Sequence, residues 1–270
     1  MAKTRNNIGV LYSGQKDSKK AIEYYLKTKA IAEQINDQSL IQISLGNIGA
    51  DYDKLNQFDS ALIYTEKSYK MGLKQKSNNI NILLGNLGDI YYRMEIYPLS
   101  LKFYRLSLPY SKAVNDMDTF SQTYLGLAKT FKKTNALDSC LYYAKKSLMA
   151  GQEVHNPHYI FEASTILAEL YEAKDEKQSY RYFKIAIAAK DSMFSQEEVK
   201  QVQKLSFNEQ LRRQELINAK KEYQNRLQLY IVSGILGIIV LLALVLYRNN
   251  RHKQKANTQL LVQKDEIDHQ

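Results

Sequence analysis

The chain has 270 residues, 44% hydrophobic and 24% charged, with a formal net charge of +10, which is room for one sizeable domain plus appendages and a buried core. Eleven glycines, three prolines and little period-two alternation exclude a strand-rich fold and indicate an all-α one. The lone Cys140 excludes an internal disulfide and any cysteine-based metal spacing, and the positive charge, scattered along the chain and bunched chiefly around one apolar segment, does not mark a nucleic-acid surface.

The amino-terminal MAKTRNNIGVLY has no apolar core of the kind a secretory signal requires, and a repeat begins within it. An aliphatic residue, a Gly or Ala, two further residues and an aromatic recur five times: Ile8-Gly9 with Tyr12, Ile48-Gly49 with Tyr52, Leu87-Gly88 with Tyr91, Leu127-Ala128 with Phe131, and Leu167-Ala168 with Tyr171. The small residues are spaced by 40, 39, 40 and 40. Twelve residues on stands a second small residue, Ala21, Ala61, Ser100 or Cys140, while in the fifth copy the turn is one residue shorter and Ser179 takes the role. An aromatic then follows at Tyr25, Tyr104 and Phe183, with Thr65 and Ala144 breaking the pattern.

Each copy reads as two amphipathic helices joined by a short polar turn: Gly14 to Asp17, Asn56 to Asp59, Glu95 to Pro98, Thr134 to Leu137 and Lys174 to Lys177. Facing small residues let the paired backbones approach, and the aromatic fills the space beside that contact. One pair cannot bury its apolar face alone, so the pairs stack into a superhelix. Asn36-Asp37, Ser77-Asn78-Asn79, Asn115-Asp116 and Asn156-Pro157 break the chain between copies. Pro109 falls inside the second helix of the third copy and is expected to kink or end it, at a cost of about 3 kcal/mol if the helix stayed straight.

The aliphatic-Gly-x-x-Tyr phrase followed by Ala and an aromatic resembles the tetratricopeptide repeat, from residue 5 to about 190. That family's usual period is ~34 residues, so five repeats of about 40 imply longer helices; HEAT repeats have a similar period but lack the phrase. The expected fold is a tetratricopeptide-type helical-hairpin solenoid over 1–190. Next comes a helix over 191–228, rich in Gln, Glu, Lys and Arg. Val199 and Val202, Phe207 and Leu211, then Leu216, Ala219 and Tyr223 approximate a heptad seam with two slips, suited to capping the solenoid or pairing with a second copy.

Leu229 to Tyr247 is charge-free, and at about 1.5 Å per residue it matches the ~30 Å hydrocarbon core, so one transmembrane helix is expected over 229–247. Residues 248–270 read as a basic juxtamembrane segment and the start of a coiled coil, with Leu260 and Ile267 one heptad apart. Lys and Arg are equal in number on the two flanks, but four of the later five lie within eight residues of the span against two of the earlier five. The expectation is a cytoplasmic carboxyl end and a periplasmic or external solenoid at a bacterial inner membrane. The missing signal argues the other way, and a start truncated from a longer protein would remove the conflict. Ser233 and Gly237 form a small-x-x-x-small pair suited to a second transmembrane helix.

No catalytic constellation, metal set or cofactor motif is expected. His155 and His158 with Asp118 read as a solvated loop group, and the Gly46-Asn47-Ile48-Gly49 and Gly85-Asn86-Leu87-Gly88 phrases lack the strand and the Lys-Ser/Thr of a phosphate loop. The family resemblance implies that Asn7, Asn47 and Asn86, two residues before the small residue in three successive copies, clamp a ligand backbone, because a carboxamide offers a donor and an acceptor together. Tyr92 and Arg93 add stacking and charge to that groove.

The order of solenoid, long helix, span, basic segment and heptad helix resembles the sensor half of bacterial tetratricopeptide-containing receptors, many of which continue into a histidine kinase. It implies a protein or peptide ligand, a homodimer and an output domain beyond Gln270. The phosphoacceptor motif His-Glu-x-x-Asn-Pro does not occur. The other readings are a membrane-tethered scaffold without signalling output, or the front half of a transcription regulator.

Overall fold

A computed structural model describes residues 2–268, giving only the helical backbone for 197, 198, 200, 202, 205, 206, 211, 237–240, 243, 252 and 255–268. Ten helices and no strand occur among the described residues: α1 (Ala2–Gly14), α2 (Ser18–Gln34), α3 (Gln38–Lys54), α4 (Phe58–Gln75), α5 (Ile80–Arg93), α6 (Tyr97–Val114), α7 (Met117–Lys133), α8 (Leu137–Glu153), α9 (Pro157–Tyr171) and α10 (Glu176–Asp268). They pair in sequence order as the five expected hairpins. Except in the first hairpin, the second helices start slightly early; those of the second and third take Asp59 and Pro98 into their first turns, where an acid suits the helix dipole and a proline has no hydrogen bond to lose.

The turns explain the aromatic of the repeated phrase. Eight of the nine carry one non-glycine residue in the left-handed region, Asn36, Asn56, Asn115 and Asn135 among them. The residue after it donates its N–H to a carbonyl five positions back, closing the helix in a Schellman-type cap. In the first four hairpins that carbonyl belongs to the phrase aromatic: Asp17 to Tyr12 (2.9 Å), Gln57 to Tyr52 (3.0 Å), Ile96 to Tyr91 (2.9 Å) and Ala136 to Phe131 (2.9 Å). The shorter fifth turn has no left-handed residue and closes instead through the Asp175 N–H on the Tyr171 carbonyl. Asp17, Asp37, Asp116, Asn156 and Asp175 cap the helices that follow them.

Inside each hairpin the phrase aromatic stacks on an aromatic that the sequence reading passed over. The pairs are Tyr12–Tyr24, Tyr52–Tyr64, Tyr91–Phe103, Phe131–Tyr143 and Tyr171–Tyr182, with ring centroids 5.3–5.7 Å apart. The adjacent aromatics behave as expected only where a following hairpin covers them. Tyr25 and Tyr104 are buried. A Cβ added to Gly88 would stand 2.5 Å from the Tyr104 ring, and one added to Gly126 of the next hairpin would also overlap it. Thr65 and Ala144 replace the ring where the helices meet more directly, the Cβ position of Gly49 being 2.9 Å from the Thr65 nitrogen. Phe183 departs from the expectation: with no sixth hairpin over it among the described residues, it is 53% exposed and lines a cavity of about 540 Å³.

Pro109 does not end its helix, and α6 continues to Val114. The proline is exposed, on the side of the helix away from the packed one, where Ser107 and Ser111 are buried and Ser107 bonds Thr123 at 3.0 Å.

Two compact units are distinguished, Met1–Val202 and Gln203–Gln270. Within the first, consecutive first helices touch (α1 with α3, α3 with α5, α5 with α7, α7 with α9), whereas consecutive second helices do not among the described residues. The stack therefore closes on the first-helix side, which forms its inner face. In the second unit, Leu216 and Tyr223 of the seam are more than 60% exposed; Val202 and Leu211, like Leu260 and Ile267, lie outside the described side chains. Among the described residues no helix is long and apolar enough to cross a membrane. The expected span passes through 237–240 and 243, outside the described side chains, and its described portion, including Leu229 through Leu236, is exposed. Ser233 is exposed, and Gly237 lies outside the described side chains.

Tyr104 cannot retreat from Gly88 without meeting Gly126. Gly88→Ala should therefore lower the unfolding free energy by about 1–3 kcal/mol through overpacking, although alanine is the better helix former by about 1 kcal/mol. Gly14→Ala, where an added Cβ meets nothing within 4 Å, should leave stability unchanged or raise it by about 0.5 kcal/mol. Urea denaturation followed by far-ultraviolet circular dichroism separates the two.

Candidate functional site

The first helices place the same repeat positions side by side along the inner face. Position by position, Asn7, Asn47 and Asn86 are succeeded by Gly126, which lines a cavity of about 370 Å³ on that face. The asparagine row thus runs toward this pocket. Asn47 and Asn86 are half-buried and Asn7 is exposed. Asn47 receives its partner from the preceding position: its Nδ2 donates to Asn6 Oδ1 at 3.3 Å. Asn6 therefore joins the row, and no repeat pattern in the sequence marks it.

Tyr92 and Arg93, expected to face the groove, both line the pocket. Arg93 is already engaged: it donates to the Asp53 carbonyl at 2.6 Å and to Asp53 Oδ2 at 2.8 Å, also reaches Asn56, and lies over the Phe58 ring. It ties the end of α3 to α5. Lys129 pairs with Glu162 at 3.0 Å, and Lys132 with Glu169, so α7 is tied to α9 in the same way. Two of the four neighbouring first-helix pairs, α3 with α5 and α7 with α9, are thereby tied along the groove by opposite charges.

Asp89, which the sequence did not single out, is half-buried at the pocket. Its Oδ1 accepts from the Tyr104 hydroxyl at 2.5 Å and its Oδ2 from Gln122 Nε2 at 2.6 Å. Loss of hydration pushes its pKa up to about 6, and these two hydrogen bonds and distant Lys129 only partly oppose the rise, while Asp53 adds to it. The same desolvation raises Asp53 above its ordinary value despite Arg93 beside it. Tyr92 and Tyr159 are raised by burial, and His158 is held below its usual value by burial. These rings make the pocket aromatic as well as acidic.

Of the features weighed for chemistry, His158 lies in the first turn of α9 rather than in a loop and lines this pocket; the others fall elsewhere. His155 sits in a left-handed turn with Nδ1 3.1 Å from the Glu153 carbonyl, and Asp118 accepts from Asn156. Among the described residues no group of three or more His, Cys, Asp or Glu is placed to hold a metal ion. The Cys140 thiol is buried in the core and pushed up to about 11 by that burial, so little thiolate is available for chemistry.

Comparison with known proteins agrees with this architecture. Residues 1–74 match the tetratricopeptide repeat family. No curated protein matches the chain. Among solved structures, BtubC (BKLC) from P. vanneervenii is similar at a TM-score of 0.60 and 16% identity, over 71% of this chain and 80% of that one. Aspartyl phosphate phosphatase F from Bacillus subtilis is similar at 0.55 and 14%, over 70% of this chain and 59% of that one. The Rap conjugation gene regulator of plasmid pLS20, in complex with the Phr* peptide, is similar at 0.55 and 15%, over 72% and 63%. The chain thus spans about six tenths of the latter two. The likeness is one of fold: an all-helical tetratricopeptide-like solenoid.

Asp89 gives the fold a pH dependence of defined sign. Below the ordinary carboxylate range the group is protonated whether folded or unfolded; between that range and about pH 6 only the folded chain keeps the proton. Its contribution to stability is therefore full at low pH and lost as pH rises through about 6. Asp89→Asn should be more stable than the parent by about 1–3 kcal/mol near pH 7.5, with the difference gone near pH 4, in paired thermal melts.

Proposed function

We propose that the chain is a membrane-anchored module that binds an extended peptide or a protein segment along the inner face of its solenoid, as the sensory or adaptor part of a bacterial two-component receptor. The observation that carries the binding reading is the row Asn7, Asn47 and Asn86, joined by Asn6, leading to the pocket at Asp89, on a face closed by the first helices. Carboxamides there meet both donors and acceptors of an extended backbone. A peptide is also what the similarly folded pLS20 regulator holds.

Anchoring rests on the charge-free stretch Leu229 to Tyr247, whose described side chains are exposed. The bias of Lys and Arg just after it supports a cytoplasmic carboxyl end and a periplasmic solenoid. Pairing of two copies through the seam of α10 would relay ligand binding to an output domain. The tethered-scaffold reading draws support from the charge lacing along the groove, which suits a rigid platform.

Replacing Asn47 and Asn86 together by alanine should weaken a peptide selected on the full chain by about tenfold, at about 1 kcal/mol for each hydrogen-bonding group lost. Unchanged affinity in fluorescence anisotropy would end the clamp. In carbonate-washed membranes of an expressing bacterium the chain should stay in the pellet, and deletion of 229–247 should release it. Release of the intact chain would remove the anchor.

A further inference from the structure

We propose that the pocket around Asp89 recognises a basic side chain, lysine or arginine, of the bound peptide. This rests on the groove reading above and adds the chemistry of its ligand.

The charges lining the pocket pair off and leave one over. From α3, Asp53 holds Arg93 of α5 at 2.8 Å; from α7, Lys129 is held at 3.0 Å by Glu162 of α9. Asp89 of α5 receives only neutral donors, Tyr104 from α6 and Gln122 from α7. An ionised carboxylate accepts about four hydrogen bonds, and these two fill half of that capacity. Both donors hold the group in place without neutralising it. Above pH 6 the pocket therefore contains a desolvated, fixed and uncompensated negative charge.

The walls suit a cation that arrives from outside. Tyr92 and Tyr159 line the same cavity, and aromatic rings attract an ammonium or guanidinium group. His158, the remaining titratable group lining it, is held below its usual value by loss of hydration, against the pull of Glu162. A volume of about 370 Å³ lies at the lower end of ligand cavities, about 300–1,000 Å³, and admits one long side chain rather than a cofactor. A peptide carboxylate or phosphate would meet Asp89 with like charge and is disfavoured. The core ring of Tyr104 gives the hydroxyl that orients Asp89, so the carboxylate is placed before any ligand arrives.

The test uses the full chain and a phage-displayed library of random dodecapeptides. Selected peptides should share a Lys or Arg. Replacing that residue by norleucine should weaken binding to the parent protein by about tenfold or more near pH 7.5 and by less than about threefold near pH 5, where Asp89 is protonated. Asp89→Asn should bind both peptides alike at either pH, which separates Asp89 from any protonation of His158. Selected peptides without a common basic residue, or a norleucine peptide that binds as well as its parent, overturn the inference and leave the groove reading standing. No enrichment over empty membranes overturns both. If Asp89→Asn does not fold by circular dichroism, the norleucine comparison on the parent protein decides alone.

Discussion

The constraint on which the structure depends is the close approach of paired helices at their small residues. At Gly88 and Gly126 the missing Cβ atoms make the slot into which Tyr104 inserts, and at Gly49 the gap is filled by the Thr65 hydroxyl and by the facing backbone at Thr65 and Ala61. This contact sets the spacing within a hairpin and, because Tyr104 reaches the next first helix, the spacing between hairpins too. The same ring carries a hydroxyl on Asp89. Core packing and the electrostatics of the groove thus meet in one side chain, and a change in the first must move the second.

Hydroxyls buried along the second helices show how such close contacts are made compatible with polar groups. Ser68 donates to the Gln42 carbonyl at 2.7 Å, Ser107 meets Thr123 at 3.0 Å, and Ser147 and Ser121 each donate to the other's carbonyl. Small residues that leave room for backbone approach also satisfy their own hydrogen bonds there, so the interfaces are tight without orphaned hydroxyls at these positions. Asp51 acts likewise between the first two hairpins, accepting from Ser13 and Ser18 at 2.9 and 2.7 Å.

The solenoid was legible in the sequence because its period is written by backbone geometry: a small residue where helices touch and an aromatic three residues later whose carbonyl closes the helix. Elements governed by neighbours from other hairpins were not legible. Phe183 repeats the position of Tyr104 and yet is exposed, since burial there depends on a following hairpin rather than on the residue itself. Pro109 survives inside α6 because it faces water, which depends on the helix's rotation in the stack. Arg93 was visible as a groove cation, but its commitment to Asp53 arises from a partner 40 residues away. Asp89 occupies a repeat position filled elsewhere by Val10, Ala50, Lys129 and Glu169. With no repeated type to mark it, only the fold reveals that Tyr104 and Gln122 converge on it.

Lacing of the first helices bears on how such a groove works. Each tie joins neighbouring hairpins across the inner face, where a solenoid that flexes would open or close most. Partly exposed pairs of this kind contribute little individually, about 0–1 kcal/mol, but they hold the spacing of the asparagine row and keep the groove's own cations occupied. In the proposed peptide-binding role, a ligand would meet a surface whose hydrogen-bonding groups are already placed, and less conformational freedom of the protein would be lost on binding. It also meets a charge pattern in which the cations are spoken for and Asp89 is not. Selectivity in such a groove comes from the group left without a counter-ion more than from the total number of charges around it.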